Sequence, residues 1–161
     1  MNVTDTLVIE TPGTHAITIS REFDAPVDKV FRAMTEPELI ARWMGPRYLT
    51  NTEMTHDPRH GGTWSLVQRD PDGNEYAFRG VIHGEPTPEL SMRTFEWLGM
   101  PGHVSLETLR LVDLGDGRTR ADSVSVFTST EDRDGMAANM TSGVVEGYER
   151  LDEILADLSG T

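Results

Sequence analysis

Apolar positions along this chain switch between two periods, and the switches mark its elements. Residues 15–23 alternate between apolar and polar, which predicts a first strand. Asp24-Ala25-Pro26 then opens a helix, with Pro26 at its first position and Asp24 or Ala25 at the cap. Val27, Val30, Phe31 and Met34 fall at i, i+3, i+4 and i+7 and form one apolar stripe. Thr35-Glu36-Pro37 repeats the start signal, and a second short helix carries Leu39, Ile40 and Trp43 before Gly45-Pro46 stops it. The strand pattern returns over residues 48–56, 63–69, 75–83, 90–97, 104–112 and 119–128. Pro71-Asp72-Gly73-Asn74 and Gly115-Asp116-Gly117 are strong hairpin turns. Every connection is too short for a crossover helix, so the pairings are predicted to be antiparallel. Ser129-Thr130-Glu131-Asp132 caps a last helix, with acids in the first turn where they suit its dipole. Met136, Met140, Val144, Tyr148, Leu151, Leu155 and Leu158 recur at steps of four and three, one buried face spanning 136–158. Gly143 and Gly147 interrupt that face, each at about 1 kcal/mol relative to alanine. They either let the helix bend or leave room on its inner side.

A sheet with one face to bury and a helix with one stripe to bury solve each other's problem. The expected fold is α+β: a curved seven-stranded antiparallel sheet wrapped around the long C-terminal helix, with two short helices after the first strand closing one end. Residues 14–158 form the expected single domain. Residues 1–13 are expected to be a flexible N-terminal segment, and the last three residues to fray.

Composition narrows the function classes. There is no cysteine, so disulfides, thiolate metal sites and cysteine nucleophiles are excluded. The net charge of −13 argues against nucleic acid and against anionic membrane surfaces as partners. No apolar run approaches a membrane span, and the first residues lack a signal peptide's charged start and apolar stretch, so a cytoplasmic domain is expected. Lys29 is the single lysine, a compositional bias rather than a binding surface.

Alternation places Trp64, Leu66 and Gln68 on one strand face, and Tyr76, Phe78, Gly80 and Ile82 on another. Directed at the helix, these would face Met136, Met140, Val144 and Tyr148 across a cavity, or fill a packed core. Methionine walls adapt to irregular ligands. Glu107 shares a face with Leu109 and Leu111; buried and unpaired it would be an acid/base candidate, and otherwise it is an exposed strand glutamate. Ser123 and Ser125 compete with Val124 and Val126 for the inward direction, and the pattern leaves the register of that strand open. His56 and His60 flank Asp57, but Pro58 and the following glycines make this a strand end and a turn, so no metal site is expected. Arg59 beside Asp57 is expected to be structural. Gly61-Gly62 lacks the lysine and the strand-to-helix setting of a phosphate loop.

The series Pro26, Val30, Phe31, Ala33, Met34, Thr35, Pro37, Leu39, Trp43, Gly45, Pro46 resembles the opening of the START-like superfamily, also called SRPBCC, the fold of the birch-pollen allergen. More narrowly it resembles the branch named for the activator of heat-shock-protein-90 ATPase. Asp57-Pro58-Arg59-His60-Gly61-Gly62-Thr63-Trp64 is similar to that branch's Asp-x-Arg-x-Gly-Gly-x-aromatic pattern. Asp72-Gly73, Tyr76, Phe78 and Gly80 continue it, as do Pro88-Glu89-Leu90 and Gly147-Tyr148, where Gly-Trp is usual. Met44 stands where a second tryptophan is common before the Gly-Pro, which bears on the cavity mouth. The resemblance covers nearly all of residues 14–158. It implies the helix-grip fold, which commonly keeps a pocket between sheet and helix. A second, chaperone-binding domain of the eukaryotic activators is not expected in these 161 residues.

The expected function is therefore binding of a small apolar or aromatic molecule for carriage, sequestration or sensing. The cavity would be lined by Trp43, Trp64, Leu66, Gln68, Tyr76, Phe78, Glu107, Met136, Met140, Val144 and Tyr148, without metal or cofactor. An aromatase or cyclase acting through Glu107, His83 or His103 is one alternative. A chaperone-interacting module is the other. The pattern is compatible with a monomer or a homodimer.

Overall fold

The computed structural model describes residues 2–159. A 3-10 turn, Val3–Thr6, precedes β1 (Val8–Glu10) and β2 (Ala16–Phe23). Two short helices follow, α1 (Val27–Thr35) and α2 (Pro37–Trp43). Next come β3 (Thr50–His56), β4 (Thr63–Arg69), β5 (Glu75–His83), β6 (Ser91–Trp97), β7 (Val104–Gly115) and β8 (Arg118–Val126). Two helices close the chain, α3 (Thr130–Asn139) and α4 (Thr141–Ser159). The strands form one sheet in the order β1-β2-β8-β7-β6-β5-β4-β3, and every neighbouring pair is antiparallel. First and last long strands thus meet at β2 and β8, which bends the sheet into a grip around the helices.

Three expectations are corrected. The sheet has eight strands, not seven: Val8–Glu10, in the segment set outside the domain, pairs with Thr18 to Ser20. Three residues are too few to display a period, so the sequence carried no strand signal there. Pro26 is the cap of α1 rather than its first residue, with φ −70° and ψ 158°. The helix expected to run unbroken from the Ser129 cap is two, α3 and the long C-terminal α4, with the break at Met140. Asn139, Thr141, Ser142 and Gly143 are all weak helix formers, and their succession puts the break there. The methionine stripe hid it, because Met136, Met140 and Val144 still reach one side across the break. Gly160 and Thr161, among the three residues expected to fray, lie outside the described residues.

The core has two centres. Phe23, Ala25, Val30, Ala33, Leu39, Trp43, Leu111, Ala121, Leu151, Ile154 and Leu155 form the larger, where the end of α4 meets α1, α2 and the sheet. Trp64, Leu66 and Ile82 form the smaller, backed by Met44, Met54, Phe78 and Phe95. Between them α4 packs chiefly along α2 and α1. Gly147 permits a close approach: a Cβ there would stand 3.3 Å from both Gly45 N and Trp43 O. The end of α2 lies against the helix backbone at this point. Arg21 on β2 bridges sheet and helix; it is 2% exposed and paired with Asp152 through both guanidinium nitrogens. No helix among the described residues is long and apolar enough to cross a membrane.

Candidate functional site

The gap between sheet and α4 is a cavity of about 420 Å³. Phe31 and Met34 of α1, Trp43 of α2, Met136 of α3, and Val144 and Tyr148 of α4 border it on the helical side. Ile17, Ile19, Leu66, Phe78, Phe95, Leu109 and Phe127 border it from the sheet and its end. The register of β8 is settled by its partners: Ser125 pairs with Glu107 and Ser123 with Leu109, so the serines face the cavity and Val126 is 45% exposed on the outer face.

The expected site residues divide. Trp43, Leu66, Gln68, Phe78, Glu107, Met136, Met140, Val144 and Tyr148 all border the cavity. Trp64 and Tyr76 do not. Trp64 is 1% exposed and lies beneath the floor, its indole laid across Gly80 so that Nε1 donates to Thr94 O at 2.9 Å. A Cβ at Gly80 would come within 1.8 Å of that same carbonyl, so only glycine lets the indole cross. Tyr76 sits at the hairpin, its hydroxyl donating to Asp70 Oδ2 at 3.2 Å. Asp70 also accepts from Asn74 and from the Asp72 amide, and these hydrogen bonds, the Asn74 side chain first, hold its carboxyl below the usual range. Tyr76 is thus tied to the turn rather than the cavity. Strand alternation gives the face correctly but not the distance along it, which is why both were misplaced.

Several lining groups are committed elsewhere. Gln68 Nε2 donates to Asn51 Oδ1 at 3.0 Å and to Met44 O at 3.3 Å, pinning the end of α2 to the sheet. Trp43 Nε1 donates to Ala33 O at 2.9 Å. The Tyr148 ring meets Phe23 edge-on at 5.1 Å and Trp43 at 6.1 Å. Burial pushes its phenol up to about 12, against the pull of the nearby Arg21 charge. His56 borders the cavity with Nδ1 at 2.5 Å from Thr35 O. Burial lowers its pKa, and the hydrogen bond to Thr35 only partly offsets this. Arg59 pairs with Asp57 at 2.8 Å on the exposed turn.

Glu107 is neither unpaired nor simply exposed. Arg93 Nε donates to its Oε1 at 2.9 Å, and the guanidinium lies 4.0 Å over the Trp64 ring. Arg93 was not anticipated. The alternation Ser91, Arg93, Phe95 on β6 puts it on the inner face, but only the β6–β7 register sets it opposite Glu107. His83 lies outside the lining, and His103 bonds Asp132 at 2.9 Å, fastening α3 to the β6–β7 loop. Arg133 fastens the other side of α3, donating to the carbonyls of Thr11, Gly13 and Ala16.

The family model described as activator of Hsp90 ATPase homolog 1-like protein matches residues 24–156. The chain belongs to that family. The matched span starts after β2, so β1 and the Ile17 and Ile19 wall of the cavity lie outside it. This family member is similar to a crystallised protein from Rhodobacter sphaeroides, at 25% identity and TM-score 0.86, over 94% of this chain and 99% of that one. A protein from Arthrobacter aurescens, solved in solution, is 26% identical at TM-score 0.82, over 94% and 92% of the two chains. The AHSA1 protein from Silicibacter pomeroyi, at 19% identity and TM-score 0.73 over 88% and 97%, shares the fold. No curated protein matches. The helix-grip architecture of this family member is thereby shared along almost its whole length.

Proposed function

We propose that this protein binds a small apolar or aromatic organic molecule in the cavity between sheet and C-terminal helix. The observation that carries the reading is the space between sheet and helices: about 420 Å³, within the range of small-molecule sites, and walled mainly by aromatic, aliphatic and methionine side chains. A cavity of this size left dry and empty forfeits packing that a ligand would restore. The pairing of Glu107 with Arg93, and the placement of His83 and His103 off the lining, favour binding over acid–base turnover. The family's name refers to a chaperone ATPase, but a shared fold does not carry a partner with it.

A thermal-shift screen against fatty acids, flavonoids, polyketides and sterols tests the reading. A ligand at about 100 times its Kd adds roughly 2.7 kcal/mol, which moves Tm by roughly 6–10 °C for a domain of this length. Val144→Phe, which plugs the cavity from α4, should abolish the shift. A screen without a hit, or a shift that survives Val144→Phe, refutes the assignment.

A further inference from the structure

One register row crosses the cavity floor: Ile17, Ser125, Glu107, Arg93 and Ile82 lie side by side from β2 to β5. Its ends are apolar and its middle is polar. The Arg93 and Glu107 side chains are 25% and 27% exposed and border the cavity, so the pair is a polar bar set in an apolar wall. Trp64 beneath, itself fixed to Thr94 O, holds the guanidinium in place.

The bar is incompletely satisfied. Arg93 uses Nε on Glu107, while its two Nη groups make no hydrogen bond with a described residue. Glu107 Oε2 has only Ser125 Oγ, at 3.5 Å. Donors and an acceptor therefore stand next to each other on the floor, and their charges cancel. A ligand carboxylate would gain Arg93 but meet Glu107 within an apolar wall, where like charges repel more strongly than in bulk water. A bare hydrocarbon would cover these groups and give them nothing, which leaves buried polar atoms without partners. An uncharged group with an acceptor beside a donor supplies both.

We infer that this cavity selects uncharged aromatic or apolar molecules carrying an adjacent hydrogen-bond acceptor and donor, such as an amide or a hydroxyketone, and discriminates against carboxylates. Arg93 and Glu107 read that group and Trp64 is the positioning residue. The inference rests on the cavity being the ligand site.

Four naphthalene compounds separate the cases by fluorescence titration near neutral pH: naphthalene carboxamide, methyl naphthyl ketone and naphthoate, which share one shape, and naphthalene itself. The carboxamide should bind about tenfold or more tighter than naphthoate, with the ketone between them. Glu107→Gln, which leaves the Arg93 charge uncompensated, should narrow or reverse that ratio. Naphthoate binding as tightly as the carboxamide, or a ratio unchanged in Glu107→Gln, overturns the inference. If naphthalene binds and the carboxamide gains nothing over it, the selection fails while the cavity remains a ligand site. If none of the four binds, the inference and the proposed function fail together.

Discussion

Arg21 and Asp152 join the sheet to α4, and the asymmetry of their burial makes a sharp prediction. Arg21 is 2% exposed and Asp152 is 25% exposed, with the two guanidinium contacts at 2.5 and 2.8 Å. Arg21 also stacks over Phe23 at 4.7 Å and lies 5.8 Å from the Tyr148 ring centre. Asp152→Ala leaves a buried guanidinium that cannot deprotonate with only the Glu22 carbonyl, at 3.2 Å, to accept from it. Removing one partner of a fully buried pair costs about 3–5 kcal/mol. The partial exposure of Asp152 puts the value here at the low end, and the better helix propensity of alanine returns roughly 0.6 kcal/mol. A loss of about 2–3 kcal/mol is expected, or roughly 5–10 °C in Tm. Arg21→Met should cost less, about 1 kcal/mol, because the Asp152 carboxylate left behind can still hydrate. The double variant Arg21→Met with Asp152→Leu should fall within about 1 kcal/mol of wild type, since apolar replacement of an ion pair is often near neutral. Urea unfolding of wild type, these three variants and the single variant Asp152→Leu closes the cycle. If Arg21→Met proves the costlier single change, or Asp152→Ala costs under about 1 kcal/mol, burial does not govern this pair and the reasoning is wrong.

Three further outcomes are expected. Gly80→Ala forces a Cβ to within 1.8 Å of Thr94 O and 2.3 Å of Trp64 Nε1, so it should cost on the order of 3 kcal/mol in urea unfolding and shift Trp64 fluorescence. His56, whose pKa burial lowers below 6.5, stabilises the fold fully above that value, and its contribution is lost as pH falls through its folded pKa; His56→Gln should flatten Tm between pH 8 and 5 relative to wild type. The Tyr148 phenol, pushed by burial from 10.0 to about 12, contributes stability that is full below pH 10 and is lost as pH rises toward 12; tyrosinate absorbance should show a phenol titrating near 12 that is absent in Tyr148→Phe, while Tyr76, raised by its hydrogen bond to Asp70, stays late in both.

What the sequence determined was whatever depends on neighbours along the chain. Alternation marked the seven long strands, and the i, i+3, i+4 stripes marked α1 and α2. The turn residues made each connection from β3 to β8 a hairpin rather than a crossover. The ordered set from Pro26 to Gly147-Tyr148 carries the resemblance to the family. Most of the cavity wall followed from the same periods, because a residue's face is a local property. Tertiary structure decided what depends on distance and register. β1 was too short to show a period, and only its partner β2 makes it a strand. Trp64 and Tyr76 lay on the anticipated faces, yet a crossing over Gly80 and a bond to Asp70 took them off the cavity. Arg93 meets Glu107 because β6 and β7 pair in one register; a shift of one residue would turn one of them outward. Gly147 and Gly45 border the cavity where the end of α2 rests on α4, a contact between residues about a hundred positions apart.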